Sequence, residues 1–451
     1  MKHQPAADEL VVKSPRPPRV AATSMREAVP GRANVDNSLR GRYPNSRTWF
    51  QRAVQVIPGG THLSGVPLVD VDTTPMYFNR AKGCRIWDVD GHEYVDYLMA
   101  FGAIFLGYGE EEVERAAARQ AQEVRLVSMN HPLHVKFIET LLHRFPGAEM
   151  GTFFKTGSEA TTAALRVARR FTRRTRVARS GYHGWHDWCL PLADFVPPGL
   201  AAQVREFSPN DPDSLGRLLS EAGEPFAAVI LAPEMVVPHR PELFRELLRI
   251  AHAHGAVFIM DEVKTGLRIA PGSISERVGI VPDLLTVSKA LGNGFPVAAL
   301  LGRRKVMQVA AGMHYSATFH GDAPAMAAAL TVLQLVDSSH AQEHVFQLGK
   351  RLIDGLNEVC RMERMPAEAY AEPLAPMPFF HFTHPDATVN ARLIRAFYRE
   401  VLARGVLLHP RHMWFLSAAH TAADVDFTIA VAREALRAAR FELPASLLPA
   451  T

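Results

Sequence analysis

The chain has 451 residues, of which 47% are hydrophobic and 21% charged, so two or more packed units of an ordinary globular protein are expected. The formal net charge is only +4, with much of the arginine excess in residues 166–179 and the N-terminal stretch; without an aromatic-basic motif, this excludes a nucleic-acid binder. Three widely spaced cysteines, Cys84, Cys189 and Cys360, exclude a disulfide framework or a cysteine zinc site, and no apolar run is long enough to span a bilayer.

Residues 1–45 are rich in Pro, Arg and Ala and read as a poorly ordered lead. They lack the apolar centre of a secretory signal, and Asp8, Glu9, Glu27 and Asp36 run against a transit peptide, so a cytoplasmic protein in a reducing compartment is expected. The pattern predicts a helix over 46–56, broken by Pro58, Gly59 and Gly60. Two short alternating runs, 84–88 and 93–97, flank Asp90 and Gly91 and predict a hairpin. Residues 46–109 thus read as the N-terminal segment of a small α+β domain.

From residue 110 to 330, helical stretches alternate with short apolar runs, which predicts a mostly parallel sheet covered on both faces. The predicted strands are 151–154, 176–179, 227–231, 256–260, 284–287 and 297–301. Helices are predicted over 158–171 and 242–254, the second stopping at Gly255. Residues 331–451 read as a C-terminal α+β unit whose final helix, announced by Thr421, begins at Asp424 or just before.

In an open α/β sheet, ligands sit beyond the carboxyl ends of the strands. After 151–154 come Lys155, Thr156, Gly157 and Ser158, where a helix opens; its free N–H groups suit a phosphate, although a Ser-capped helix with a Gly hinge reads the same way. After 176–179 come Gly181, Tyr182, His183 and Gly184. Glycine on both sides lets an aromatic ring approach a flat ligand. His183, His186 and Asp187 could be read as metal ligands, but their spacing supplies no third partner, and a polar loop explains them as well. After 256–260 comes Asp261, a carboxylate at the end of a buried strand that needs a partner; a pyridinium N–H, a helix cap or a core ion pair would serve. Strand alternation sends Glu262 to the opposite face. After 284–287 comes Ser288, then Lys289, where partial desolvation would make the amine a nucleophile or base. An anion site, a flat aromatic wall, a partner for a ring nitrogen and a Schiff-base lysine at successive strand ends are what pyridoxal 5'-phosphate requires. No metal site is expected.

At these residues the chain resembles the class III, fold-type I pyridoxal-phosphate-dependent aminotransferases, and within them the glutamate-1-semialdehyde aminomutase-like branch. The resemblance runs from about Phe50 to about Ala432 and is most specific at 156–160, 182–184, 261–263, 288–296 and 318–319; residues 415–421 also match. It implies a large domain with a mostly parallel seven-stranded sheet plus a smaller α+β domain. It implies that Lys289 carries the internal aldimine, that Asp261 faces the pyridine nitrogen, and that Tyr182 and Val263 flank the ring. The backbone of Gly157 and Ser158 would hold the phosphate. Thr318 would reach the phosphate of a neighbouring subunit, implying a homodimer with shared active sites.

The implied activity moves an amino group between an amino acid or amine donor and a keto acid or aldehyde acceptor. An aminomutase or racemase on the same scaffold, or a non-catalytic cofactor-binding protein, would share the motifs. The substrate side departs from the aminomutase. Its early Ser-Pro-Val-Arg segment reads Thr61 to Pro67 here, without arginine. The Glu-Pro after the strand ending at Leu231 reads Ala232-Pro233, with Glu234 following, and the next loop is shorter. The late glutamate loop becomes 409–414, where Arg411 could take a carboxylate and Trp414 could wall an apolar group; a surface arginine and a core tryptophan are the alternatives. A substrate other than the semialdehyde is therefore expected.

Overall fold

The computed structural model describes residues 41–62, 76–189, 196–237, 239–370 and 374–441. Most of the expected lead and residues 63–67 of the early substrate segment lie outside the described residues. Among those described, the strands are β1 (Phe78–Lys82), β2 (Arg85–Asp88), β3 (Glu93–Asp96), β4 (Met150–Phe154), β5 (Arg176–Ser180), β6 (Val204–Glu206), β7 (Phe226–Leu231), β8 (Val257–Asp261), β9 (Leu284–Val287), β10 (Ala298–Gly302), β11 (Ala367–Tyr370), β12 (Phe379–Phe382) and β13 (Val406–Leu407). The longer helices are α1 (Pro44–Ala53), α2 (Glu111–Glu123), α3 (Pro132–Arg144), α4 (Gly157–Thr172), α5 (Pro212–Leu219), α6 (Pro241–Ala253), α7 (Ala323–Ser339), α8 (Ala341–Met362), α9 (Ala387–Ala403) and α10 (Ala422–Phe441).

Seven strands form the central sheet in the order β4-β10-β9-β8-β7-β5-β6. All pairings are parallel except those of β10, which runs against both β4 and β9. The fold-type I architecture and its mostly parallel seven-stranded sheet are thus present. Strand β7 explains why the sheet reads as continuous apolar runs: all six of its residues are buried. Pleating sends Ala228 and Ile230 into one core cluster and Val229 and Leu231 into another. Neither face meets water, so no polar alternation is needed. On one face lies α4, whose Ala160, Ala164 and Ala168 are fully buried and bring the helix close to the strands.

The smaller sheet has the order β1-β2-β3-β13. The expected hairpin is there: β2 and β3 pair antiparallel, Ile86 opposite Tyr94, around a turn in which the Asp88 carboxylate accepts from the N–H groups of Asp90 and His92. β13 comes from the C-terminal part and joins β3 in parallel, Val406 beside Val95. The final helix starts at Ala422, and Thr421 and Asp424 cap each other: Asp424 N–H donates to Thr421 Oγ1 at 3.2 Å and Thr421 N–H to Asp424 Oδ2 at 2.9 Å.

Candidate active site

The carboxyl ends of β4, β5, β7, β8 and β9 lie along one edge of the central sheet, and the residues singled out from sequence come directly after these ends. Asp261 closes β8 and is 4% exposed. Its register partner on β9 is Thr286, whose hydroxyl donates to Asp261 Oδ1 at 3.0 Å; the N–H of Val263 donates to the same oxygen at 3.1 Å. Oδ2 lies 2.7 Å from Nδ1 of His183, in the loop after β5. A buried carboxyl group is costly unless its oxygens are hydrogen-bonded, and three partners are in place.

His183 is itself buried and stacks on Trp188, with ring centroids 5.9 Å apart and planes inclined by 16°. Nε2 of His183 is buried and has no partner among the described residues. His183 and His186 are not pointed at a shared centre: His186 Nδ1 sits 2.7 Å from the hydroxyl of Thr162. Glu262 faces away from Asp261, as alternation requires. It accepts from the N–H groups of Ile274 and Ser275 and from the hydroxyls of Ser275 and Thr265, and burial pushes its carboxyl up to about 7.

Helix α4 begins one residue after its cap Thr156, whose hydroxyl accepts the N–H of Glu159, while the Glu159 carboxylate returns to the N–H of Thr156. The N–H groups of Gly157 and Ser158 belong to the first turn, which has no intrahelical acceptors. Two glycines keep this corner open. A Cβ on Gly157 would stand 2.8 Å from Val263 Cγ1, and one on Gly184, where φ is +123°, would collide with Ser158 Oγ. The loop after β5 therefore lies directly on the start of α4. An anion is favoured at such a helix end.

Lys289 lies just past β9 in a short 3-10 turn and adopts the left-handed region, φ +50°. A non-glycine residue held there indicates local strain of the sort that surrounding packing maintains at functional sites. That packing is visible: Ser288 donates its hydroxyl to Val297 O, and the Asn293 amide accepts from Phe105 and Leu106 N–H and donates to Gly107 O. Burial, then the positive charge of Lys264, brings the Lys289 ammonium from 10.5 down to about 7, against the pull of Glu234 and Asp261. Near neutrality a large fraction of this amine is unprotonated and nucleophilic.

Tyr182 is 54% exposed and stands between Gly181 and His183; the Nζ of Lys264 lies 5.9 Å from its ring centroid. Val263 is half-buried against Gly157. Thr318 is exposed, next to Phe319, which is 63% exposed. Arg411 is exposed as well. Trp414 has no exposed surface: it packs near Phe380 in the main core, ring centroids 5.9 Å apart, and donates its indole N–H to His409 O. Its surface is taken up by the core, so it presents no wall to a ligand, and the alternative reading of a core tryptophan is the one the structure matches.

Sequence reasoning missed several residues of the site. His183 was in view, but no spacing reveals a partner on another strand. Arg268 is fully buried and pairs with no carboxylate among the described residues; its guanidinium donates to the carbonyls of Leu416 and Gly102 between the rings of Phe105 and Phe415, and burial lowers it to about 9. Gly102 ends the left-handed stretch Met99, Ala100, Phe101, Gly102, with φ from +45° to +80°. The edge of Phe101 meets His412, centroids 5.3 Å apart.

The residues fit pyridoxal phosphate: a donor-held carboxylate at a strand end, an open helix N-terminus beside it, and an amine of depressed basicity on the next strand. The sequence profile described as Aminotransferase class-III matches residues 68–416. The 3-aminobutyryl-CoA aminotransferase of Cloacimonas acidaminovorans is 32% identical, covering 87% of this chain and 96% of that one. A glutamate-1-semialdehyde 2,1-aminomutase of Chloroflexus aggregans is 33% identical, covering 87% and 98%. Among solved structures, the PLP internal aldimine form of the Sphingopyxis sp. MTA144 FumI protein superposes with a TM-score of 0.83 at 30% identity, covering 88% of this chain and 97% of that one.

Proposed function

Because this chain belongs to the class III aminotransferases and is a pyridoxal-phosphate-dependent enzyme that uses an amino donor and a keto acceptor, we propose that Lys289 and Asp261 carry its chemistry. The observation that carries the reading is the placement of a buried, triply hydrogen-bonded carboxylate and an amine of lowered basicity at the ends of adjacent strands β8 and β9. Bound pyridoxal phosphate supplies an electron sink that makes the C–H beside the transferred nitrogen acidic.

The chain's own residues do the rest. Nζ of Lys289 would hold the cofactor covalently until the incoming donor amine displaces it; the freed amine would then take the proton from the substrate carbon and later return it, serving as nucleophile and as base and acid in turn. The Asp261 carboxylate, held in place by Thr286, Val263 and His183, accepts the hydrogen bond of a ring N–H. The N–H groups of Gly157 and Ser158 hold the phosphate, and Val263 and Tyr182 enclose the ring from its two faces. Thr318 serves the phosphate of a second subunit, making the working unit a homodimer. The exposure of Tyr182, Trp185 and Phe319, at 54%, 71% and 63%, supports a covering partner. No helix among the described residues is long and apolar enough to cross a membrane, and a cytoplasmic location fits three free, buried cysteines.

The substrate is proposed to be an amino acid or amine other than glutamate-1-semialdehyde, because the sequence departs from the aminomutase pattern at segments that, by the resemblance, would line the substrate pocket. The test is a half-reaction screen. Holoenzyme is mixed with single amines and amino acids, and the long-wavelength absorbance of the bound cofactor is followed. A transaminase bleaches and halts until a keto acid is added. Continued turnover without a second substrate would instead establish a mutase or racemase, and a protein that never bleaches would be catalytically silent.

A further inference from the structure

Beside Lys289 the site holds a second lysine that the proposed chemistry does not use. Lys264 lies three residues past the end of β8, and its ammonium donates to Glu234 Oε1, in the short turn after β7. The two side chains are 12% and 3% exposed. An ion pair removed this far from water regains little more than the hydration it loses, so folding stability does not account for it.

Neither partner is fully engaged. Glu234 Oε2 is buried with no donor among the described residues. The ammonium has three donors, of which Glu234 takes one, and the Tyr182 ring lies alongside at 5.9 Å. Lys264 is the strongest charge acting on Lys289, and both lysines oppose protonation of His412. Arg268, which also acts on Lys289, spends its guanidinium on two carbonyls. The early substrate segment contains no arginine.

We infer that Lys264 anchors the carboxylate of the enzyme's acid substrate, with Glu234 as the counter-ion that holds the anchor in place. The inference rests on the proposed role of Lys289, since it places the carboxylate next to that amine. An incoming carboxylate takes the donors that Glu234 leaves unspent. A carbonyl compound or amine lacking a carboxylate finds no use for them, so the anchor sorts substrates by that group alone.

The test uses enzyme loaded with pyridoxamine phosphate and two pairs of acceptors, pyruvate with acetaldehyde and acetoacetate with acetone, following return of the cofactor's long-wavelength absorbance. Losing a charge-assisted hydrogen bond is expected to raise KM for the keto acids roughly 10- to 100-fold relative to KM for acetaldehyde and acetone in Lys264→Met, while the loss of a charge beside Lys289 changes kcat alike for all four acceptors. Lys264→Arg is expected to recover most of the loss. Because Lys264→Met strands a buried carboxylate, the double variant Lys264→Met/Glu234→Gln is measured too, and it should show the same selective loss. Equal effects on KM for acids and carboxylate-free partners, or no effect on either, overturn the inference. So does a wild-type enzyme that prefers acetaldehyde to pyruvate. Wild-type enzyme inert to all four acceptors counts against the proposed function itself and is seen before any variant is made.

Discussion

Nδ1 of His183 meets Oδ2 of Asp261 at 2.7 Å across 78 residues of chain. The contact joins the loop after β5 to the end of β8, skipping over β7, which lies between them in the sheet. Trp188 backs the imidazole on its far side. Asp261 is thereby held in a fixed orientation.

His183 should therefore act through Asp261. A hydrogen bond to a charged group contributes about 1.5–3 kcal/mol, so His183→Ala is expected to weaken cofactor binding and lower kcat by roughly 10- to 100-fold. Asp261→Ala should cost far more in kcat. Cofactor titration of the apoproteins by fluorescence, alongside turnover, checks both; a His183→Ala enzyme with full kcat and unaltered affinity refutes the positioning role.

The lowered basicity of Lys289 has a signed consequence. In the unfolded chain this lysine protonates at 10.5, in the folded apoprotein at about 7. Between those values the unfolded state binds more protons, so this group makes folding stability rise with pH from about 7 to 10.5, and its destabilising effect is complete only below that window. Denaturant melts of the apoprotein across the window should show a positive slope that flattens in Lys289→Met. The rate of aldehyde capture by apoenzyme should likewise level off just above pH 7 rather than above pH 10.

Gly184→Ala should damage the phosphate end. The substitution forces φ +123° on a residue with a side chain and drives its Cβ into Ser158 Oγ. Strain of this sort costs about 1–3 kcal/mol. Part is expected as a lower melting temperature and part as weaker retention of cofactor during dialysis, with the substrate preference unaltered.

Trp414 should govern stability and leave specificity alone. A large aromatic removed from a close-packed core costs about 3–5 kcal/mol, and Trp414→Ala also frees the His409 carbonyl. Urea midpoints measure the loss. If KM values across a donor panel shift selectively while stability holds, the side chain faces substrate after all.

The long apolar strands and the residues just past them were legible in the chain itself. Leu284 to Val287 leads through Ser288 to a lysine and Val257 to Met260 runs straight into an aspartate, and buried strands expose their chemistry only at their ends. Elements defined by pairing rather than by local pattern were not. β6 has three residues and β13 two, too few to show a period, and all five residues of β1 are exposed. For the same reason the site's polar partners stayed hidden. Register, not spacing, sets Thr286 beside Asp261, and the Lys264–Glu234 pair depends on two loops meeting. Left-handed backbone at Met99 to Phe101 has no local signature, since none of those residues favours it.

The parallel joint between β3 and β13 also constrains how the protein is made. Tyr94 and Val95 are fully buried, yet β13, which pairs with β3, leaves the ribosome only after every strand of the central sheet. During synthesis the nascent hairpin waits with an open edge while the central sheet assembles. Closure over so great a sequence separation is slow, and the waiting edge invites capture by chaperones or by the same edge of another unfinished chain.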